Sequence, residues 1–164
     1  MPGVRLATSA DAAEIVHLGA LMYKSVGAKP TPSWAVDATK LVRDRMGHDL
    51  IGVVIDAPEG GLACCGLVNI APRLPKPGAQ SHHMGYVQWV STAPQHQRKG
   101  YARLVMKALL AETDHRGIEV VELHSTPAGR RLYNELDFYV KNDNIAMVTV
   151  RGRTEGSPLP GHGL

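Results

Sequence analysis

The most distinctive chemistry of this sequence lies at residues 97–102, where a strand pattern gives way to an amphipathic helix pattern across a short basic turn. The first backbone amides of a helix have no partners within the helix, and the helix dipole favours negative charge beside them. Gly100 lets the backbone come close to a ligand, while Arg98, Lys99 and Arg103 add positive charge. This spacing predicts an anion site that suits a diphosphate-bearing ligand.

Neither cysteine nor histidine spacing indicates a metal site. Cys64 and Cys65, the only cysteines, are adjacent, so on a strand they point to opposite faces and are expected to be buried reduced thiols. His82 and His83 are adjacent without a neighbouring carboxylate or cysteine, which favours a solvated loop.

The composition is typical of one globular domain and excludes several classes of protein. The chain has 164 residues, of which 44% are apolar and 20% are charged. The formal net charge of +3 could suit an acidic ligand, but the scattered basic residues and the 5% aromatic content argue against nucleic-acid binding. No apolar run approaches the roughly 18 residues of a membrane span, and no signal peptide opens the sequence. We therefore expect a cytoplasmic protein that binds neither membrane nor nucleic acid.

Hydrophobic periodicity predicts the elements that position the basic turn. In the first half we expect a strand at residues 4–7, a helix that follows a Thr8-x-x-Asp11 capping box and ends before Gly27, and a hairpin of strands at residues 50–56 and 62–70. Between them, Ser33 is expected to cap a helix. The apolar face of that helix is predicted to consist of Trp34, Leu41, Val42 and Met46.

The second half predicts a loop at residues 71–81, a strand at residues 85–92, a helix at residues 100–116 stopped by Gly117, and a strand at residues 119–123. Thr126 and Pro127 then open a helix that ends near Leu136. Residues 138–141 and 146–150 are expected to form a closing pair of strands. Residues 1–150 are predicted to be one domain, and residues 151–164, rich in glycine and proline, a disordered tail.

Two stretches of the sequence carry a resemblance to a known family. Residues 93–102 read Ala-Pro-Gln-His-Gln-Arg-Lys-Gly-Tyr-Ala, and residues 131–138 read Arg-Leu-Tyr-Asn-Glu-Leu-Asp-Phe. They are similar to the Q/R-x-x-G-x-G/A signature and the L-Y-x-x-x-G-F segment of the GNAT superfamily of acyl-CoA-dependent N-acetyltransferases, with Asp137 in place of the glycine. Asp tolerates the left-handed conformation that such a turn requires. The likeness extends over residues 4–150, and it implies an α/β (α+β) fold with a mixed, mostly antiparallel central sheet, splayed between two central strands and flanked by about four helices.

The resemblance implies that acetyl-CoA binds as the acyl donor, without a metal. Main-chain groups of Val90, Ser91 and Thr92 would pair with the pantetheine arm, and the Val90 amide would also stabilise the oxyanion. Thr126 stands where the family often has a cofactor-contacting asparagine. The residues implied in holding the pyrophosphate are Gln97, Arg98, Lys99, Gly100, Tyr101, Ala102 and Arg103.

The resemblance also implies direct attack of the acceptor on the thioester in a ternary complex. Tyr133 falls at the family's general-acid tyrosine and would protonate the leaving thiolate. Positions that often carry the general base are occupied here by residues that are poor bases, Gly85, Tyr86 and Gln88. The base therefore stays open among a water chain, His82, His83, Glu122 and His124. The candidate contacts to the acceptor are Trp34, Tyr86 and Gln88.

The resulting hypothesis is acetyl transfer from acetyl-CoA to a primary amine on a small molecule or a peptide. A polyamine, an aminoglycoside-like antibiotic, an amino acid, a protein N-terminus and a protein lysine all stay open. The loops at residues 27–34, 71–83 and 141–144 hold no dense acidic cluster, which disfavours polyamines and aminoglycosides. A homodimer is possible. The alternative is a non-catalytic acyl-CoA-binding regulatory protein of the same fold, which the missing base favours and Tyr133 disfavours.

Overall fold

The computed structural model describes residues 3–141 and Met147. Contacts between Cα atoms divide the chain into two compact units, residues 1–123 and residues 124–164. The five strands and three helices described below belong to the first unit, and a fourth helix belongs to the second. The predicted tail at residues 151–164 lies outside the described residues.

In the part of the chain that the structure describes, five strands form one sheet whose spatial order is the order of the chain. They are β1 (Val4–Leu6), β2 (Leu50–Asp56), β3 (Leu62–Pro72), β4 (His83–Thr92) and β5 (Val121–Leu123). Neighbours from β1 to β4 are antiparallel, whereas β5 is parallel to β4. This mixed, mostly antiparallel sheet confirms the predicted fold class.

Helices of the first unit cover both faces of this sheet. The α-helices of the described residues are α1 (Ala12–Ser25), α2 (Pro32–Arg45), α3 (Tyr101–His115) and α4 (Arg130–Asn134). On one face, Val105 of α3 packs against Gly66 of β3. On the other face, Leu18 of α1 and Val42 of α2 form a core cluster with Leu67 of β3. None of the described helices is long and apolar enough to cross a membrane.

The strands β2 and β3 are buried on both faces because helices cover both, so they appear in the sequence as continuous apolar runs. Cys64 and Cys65 lie within β3, and both are buried free thiols, as predicted. Cys65 belongs to the core cluster below α1, whereas the Cys64 sulfur lies 3.2 Å from Thr92 Oγ1. Burial raises the pKa of Cys64 to about 11 and raises that of Cys65 as well.

The starts of the first two helices test the predicted caps. The capping box is confirmed, with the Thr8 amide donating to Asp11 Oδ2 over 2.7 Å. The predicted cap of α2 is wrong by two residues, because Thr31 rather than Ser33 accepts the Trp34 amide, over 3.2 Å. Pro32 then occupies the first turn, where no amide hydrogen bond is lost.

One member of the predicted apolar face of α2 is also wrong. Val42 and Met46, one turn apart, are buried, whereas Leu41 is 52% exposed. Adjacent helical positions differ by about 100° around the axis, so Leu41 points away from the stripe that Val42 defines. The longest predicted helix is confirmed as α3, and Gly117 beyond it has the expected positive φ of 70°.

The C-terminal elements differ most from their predictions. The helix α4 begins at Arg130, after a turn in which the Gly129 amide donates to Thr126 Oγ1 over 3.3 Å. Asp137 has the predicted positive φ, 63°. Residues 138–141 form no strand, contrary to prediction. A strand requires a paired neighbour, and the predicted partner at residues 146–150 lies outside the described residues apart from Met147.

Candidate functional site

The strand β4 is interrupted by a bulge at Trp89, which has a positive φ of 54°. The register with β3 shifts there, so that Leu67 pairs with Gln88 but Cys65 pairs with Ser91. The Trp89 carbonyl accepts a hydrogen bond from the Cys65 thiol over 3.3 Å. In a trans peptide the next N–H points the opposite way, so the Val90 amide is directed away from β3.

Within the described part of the chain, the side of β4 that the Val90 amide faces is only partly covered by a strand. The strand β5 pairs with β4 only at Gly85, Tyr86 and Val87. Beyond Val87, β4 continues to Thr92 without a further strand partner on that side within the described residues. The sheet is therefore splayed between β4 and β5, and an edge of backbone groups stays available to an extended ligand.

The open edge leads directly into the predicted anion-binding turn. Arg98 and Gly100 have positive φ values of 63° and 80°, and α3 begins immediately afterwards. Among the residues that the structure describes, no side chain caps this helix start. The first backbone amides of a helix have no partner within the helix, and this is the donor capacity that a phosphate would use.

Gly100 is the residue that leaves space in front of this helix start. A Cβ atom at Gly100 would meet no protein atom within 4 Å. The positive charges of this segment are solvent-accessible, because Arg98, Lys99 and Arg103 are all exposed. These features match the sequence prediction of an anion site, and the assignment of individual residues to a phosphate stays a prediction.

Sequence reasoning missed a contact that holds this turn from the side. His96 is only 5% exposed, and its Nε2 lies 2.7 Å from Glu59 Oε1 in the β2–β3 hairpin. Its Nδ1 lies 3.4 Å from Lys99 Nζ, and its ring stacks on Tyr101 at 6.1 Å. Because an ammonium group can only donate, this arrangement fits an imidazole with its proton on Nε2. No local pattern links the hairpin to the turn, so the sequence gives no signal for this contact.

Three aromatic rings form a wall on the α1–α2 face of β4. The aromatic wall consists of Tyr23, Trp34 and Trp89, whose ring centroids lie 5.8–6.0 Å apart. The Trp89 indole N–H donates to the Tyr23 hydroxyl over 3.2 Å. Of these three rings, only Trp34 is a predicted contact to the acceptor. Tyr23 continues the apolar stripe of a helix and Trp89 lies within a strand, so in the sequence both resemble ordinary core residues.

The bulged Trp89 ring rests directly on α1. A Cβ atom at Gly19 would lie 2.8 Å from Trp89 Cε3, so only glycine permits this approach. The bulge and the glycine together bring the second tryptophan of the chain to the same face as Gln88 and Tyr86.

The other two predicted acceptor contacts lie beside this wall. The amide of Asn69 donates to Gln88 Oε1, and Asn69 Oδ1 accepts from Arg45 over 2.9 Å. Tyr86 is half-buried. Burial raises the pKa of its hydroxyl, and negative charge on Glu122 and on Tyr23 raises that pKa further.

The candidate bases differ in the elements that carry them. Glu122 is the register partner of Tyr86. His82 and His83 are exposed at the start of β4, and His124 is exposed in the second unit. Among the described residues, no group of three or more His, Cys, Asp or Glu side chains could hold a metal ion.

Two further predicted site residues belong to the second unit. Thr126 is exposed, and its hydroxyl accepts the Gly129 amide in the turn before α4. Tyr133 lies on α4, is half-buried and makes an edge contact with Phe138, with centroids 5.9 Å apart. Its predicted role as an acid stays a prediction.

The sheet is mixed and splayed, and its strand β4 leads through a glycine turn into the long helix α3. This arrangement defines the chain as an α/β protein of the GNAT type. A family model described as "Acetyltransferase (GNAT) domain" matches residues 3–140. The chain therefore belongs to the GNAT acetyltransferase family. No curated protein matches the sequence.

Solved structures share this fold at low sequence identity. A protein from Clostridium acetobutylicum described as a "predicted acetyltransferase", solved with acetyl-CoA, is 17% identical with a TM-score of 0.78, and the alignment covers 90% of this chain and 96% of that one. A GCN5-related N-acetyltransferase from Ralstonia eutropha is 19% identical with a TM-score of 0.72 over 90% and 99% of the two chains. Glucosamine-6-phosphate N-acetyltransferase from Arabidopsis thaliana is 18% identical with a TM-score of 0.68 over 92% and 99%.

Proposed function

We propose that this protein is an N-acetyltransferase that moves the acetyl group of acetyl-CoA to a primary amine. The observation that carries the proposal is the open edge of β4 beyond Val87, which runs into the glycine turn before α3. A pantetheine arm fits such an edge as an added strand would. A diphosphate fits the amides of the helix start, and acetyl-CoA is present in the Clostridium acetobutylicum structure.

Acetyl-CoA, the acyl donor, would contact the backbone of this protein at two segments. Val90, Ser91 and Thr92 would line the pantetheine arm, while Gln97 and the residues that follow it would hold the pyrophosphate. The Ser91 hydroxyl already donates to the Leu18 carbonyl over 2.8 Å, so its contribution would come from the main chain. The residues proposed at the pyrophosphate are Gln97, Arg98, Lys99, Gly100, Tyr101, Ala102 and Arg103.

The chemical step requires a neutral amine. An alkylamine with a pKa of about 10.4 is mostly protonated at neutral pH, so one proton leaves to water before attack. The amine nitrogen then forms a bond to the acetyl carbon while the carbon–sulfur bond breaks. The products are an amide, the thiol of CoA and one released proton.

Two groups are proposed to stabilise this step. The Val90 amide would donate to the acetyl oxygen, where negative charge develops, and this role is supported by its direction away from β3. Tyr133 would protonate the departing thiolate, a role supported by its position in the family segment that residues 131–138 resemble. Thr126 is proposed as a further contact to CoA.

One observation favours a second candidate function, that of an acyl-CoA-binding regulator without catalysis. The side chains of β4 from Gly85 to Thr92 include no carboxylate and no imidazole. A catalyst would have to take its base from another element or from water. Release of CoA thiol in the presence of amines distinguishes the two candidates.

A matched pair of glycine substitutions tests the donor site. Gly100 and Gly117 flank α3, have φ values of 80° and 70°, and both face open space. An alanine at either position incurs strain of about 1–2 kcal/mol. Only Gly100→Ala places a methyl group where the diphosphate would bind, so we expect it to weaken CoA about tenfold or more.

Calorimetry with CoA and acetyl-CoA measures this difference, and thiol release with a panel of amines measures turnover. Gly117→Ala should retain wild-type affinity despite its similar loss of stability. Equal affinities for both variants would contradict the proposed diphosphate site. Tight binding of acetyl-CoA without turnover on any amine would favour the regulatory alternative.

A further inference from the structure

The acceptor side of β4 carries a carboxylate that no described residue neutralises. Glu122 pairs with Tyr86 in the parallel register. Neighbouring strands lie about 4.8 Å apart, and paired residues direct their side chains to the same face. Glu122 is exposed and makes no hydrogen bond or ion pair with any residue that the structure describes. Its charge nevertheless reaches the Tyr86 hydroxyl.

The aromatic wall lies on the same face of β4 as Tyr86, the register partner of Glu122. Tyr86 and Gln88 alternate along β4 and share this face, because Gln88 pairs with Leu67 of the core cluster against which Trp89 packs. All three rings of the wall are half-buried, so each keeps part of its surface accessible. A carboxylate beside aromatic rings attracts an alkylammonium through charge and through the ring quadrupole, while the rings cover its hydrocarbon part.

Arg45 places a positive charge near this face, and its guanidinium is already paired. Arg45 donates from Nε to Asp49 over 2.9 Å and from its second terminal nitrogen to Asn69 over 2.9 Å. Asn69 in turn donates to Gln88. This pairing occupies Asp49 Oδ1, and the guanidinium itself would repel a second ammonium group.

On the basis of the proposed acetyl transfer, we propose that the acceptor is a monocationic primary amine with an apolar body. Its ammonium group binds at Glu122 and the Tyr86 hydroxyl, and its body rests on the aromatic wall. The charge arrangement disfavours diamines, which would bring a second cation toward Arg45. It also disfavours amino acids, whose carboxylate would approach Glu122.

Intrinsic fluorescence provides a readout that does not require turnover. Trp34 and Trp89 are the only tryptophans of the chain, and both belong to the aromatic wall. Binding of phenethylamine should change their emission in CoA-saturated protein. We expect it to bind about tenfold or more tightly than phenylethanol, which lacks the ammonium group, or 1,4-diaminobutane, which lacks the ring. Phenylalanine should also bind about tenfold or more weakly, because Glu122 repels its carboxylate.

Two variants assign the charge effect. Glu122→Gln should lower phenethylamine affinity about tenfold, toward that of phenylethanol, and should leave the affinity for acetyl-CoA unchanged. Tyr86→Phe removes the second group proposed to contact the ammonium, the Tyr86 hydroxyl, and should also lower phenethylamine affinity. Glu14→Gln is the matched control, because it removes an exposed carboxylate on α1 outside the proposed site. Circular dichroism and thermal unfolding check that each variant is folded.

The possible failures are distinguishable. If the diamine or the amino acid binds more tightly, or if Glu122→Gln leaves phenethylamine affinity unchanged in folded protein, this acceptor site is wrong even when acetyl transfer occurs. If phenethylamine binds as expected but no amine is acetylated, the acceptor site holds and the proposed catalysis fails.

Discussion

The backbone amide of Val90 is the central donor of the candidate site, and the conformation of the preceding residue, Trp89, directs it toward a ligand. The positive φ of Trp89 breaks the register with β3, and the Cys65 thiol holds the Trp89 carbonyl. The amide of the following residue is thereby turned toward the open edge. A backbone donor of this kind depends on the fold rather than on its own side chain, so substitutions at Val90 that keep the strand should be tolerated.

Tyr133 offers the sharpest test of chemistry at the scale of a residue. Tyr133→Phe keeps the edge contact with Phe138 but removes the proposed proton donor. We expect kcat to fall about 100-fold or more, the usual size of general-acid assistance, while the Kd of acetyl-CoA stays unchanged. Steady-state thiol release and calorimetry measure the two quantities.

Tyr139→Phe is the control for this change, because Tyr139 is 85% exposed and loses the same hydroxyl. A Tyr133→Phe enzyme with the kcat of the control would remove Tyr133 from the mechanism. The remaining assistance would then have to come from water.

At the scale of elements, the β2–β3 hairpin supports the turn before α3. Glu59 holds His96 at 2.7 Å, and His96 in turn contacts Lys99 and stacks on Tyr101. Its own backbone amide, and then His96, lower the pKa of the Glu59 carboxyl. The hairpin thus orients a segment with which it shares no regular hydrogen-bonded pairing.

Glu59→Gln tests this support. The amide weakens the contact to the imidazole, so we expect the KM for acetyl-CoA to rise about threefold to tenfold with kcat unchanged. Initial rates at varied acetyl-CoA separate the two parameters. Glu112→Gln, which removes an ion pair with Arg116 on α3, should change neither. A fall in kcat alone would show that the hairpin acts on catalysis rather than on the donor site.

The elements also show what the sequence could predict. The helix α3 and its stop at Gly117 were predictable because apolar spacing and a left-handed glycine are local signals. The cap at Thr31 was missed because Thr31 and Ser33 are both good caps, although Pro32, which is favoured at the first helical position, was a local signal for Thr31. The aromatic wall was not predictable as a unit, since Tyr23, Trp34 and Trp89 meet only in the folded chain.

At the scale of the whole molecule, a charged cluster joins the first elements of the chain. Arg5 on β1 donates two hydrogen bonds to Asp11, over 2.9 and 2.8 Å, and also binds Asp56 on β2. Asp11 accepts the Thr8 amide as well. The cluster therefore connects a three-residue edge strand to both the central sheet and the start of α1.

Asp11→Asn should lower the free energy of unfolding by about 1–2 kcal/mol at pH 7, because the amide cannot replace both charged contacts. The hydrogen bond from Arg5 is the main cause that lowers the pKa of Asp11 below its ordinary value of 3.8. The stabilisation is therefore complete above pH 3.8 and is lost as the pH falls through the folded-state pKa.

Urea unfolding at pH 7 and at progressively lower pH measures this dependence. The difference between wild type and Asp11→Asn should shrink in acid, whereas Asp44→Asn, which removes an exposed ion pair with Lys40, should have a small effect throughout. A difference that persists at the lowest pH would assign the stabilisation to something other than the ionised carboxyl.

The contact between Gly19 and Trp89 limits how far α1 can be improved as a helix. Glycine within a helix is less favourable than alanine by about 0.5–1 kcal/mol, so routine thermostabilisation would replace Gly19 first. The added methyl group would lie 2.8 Å from the indole and push it off the helix. A substitution at Gly19 would therefore raise helix propensity but disturb the bulge at Trp89. We expect variants that are selected only for heat resistance to lose activity when they carry such a substitution.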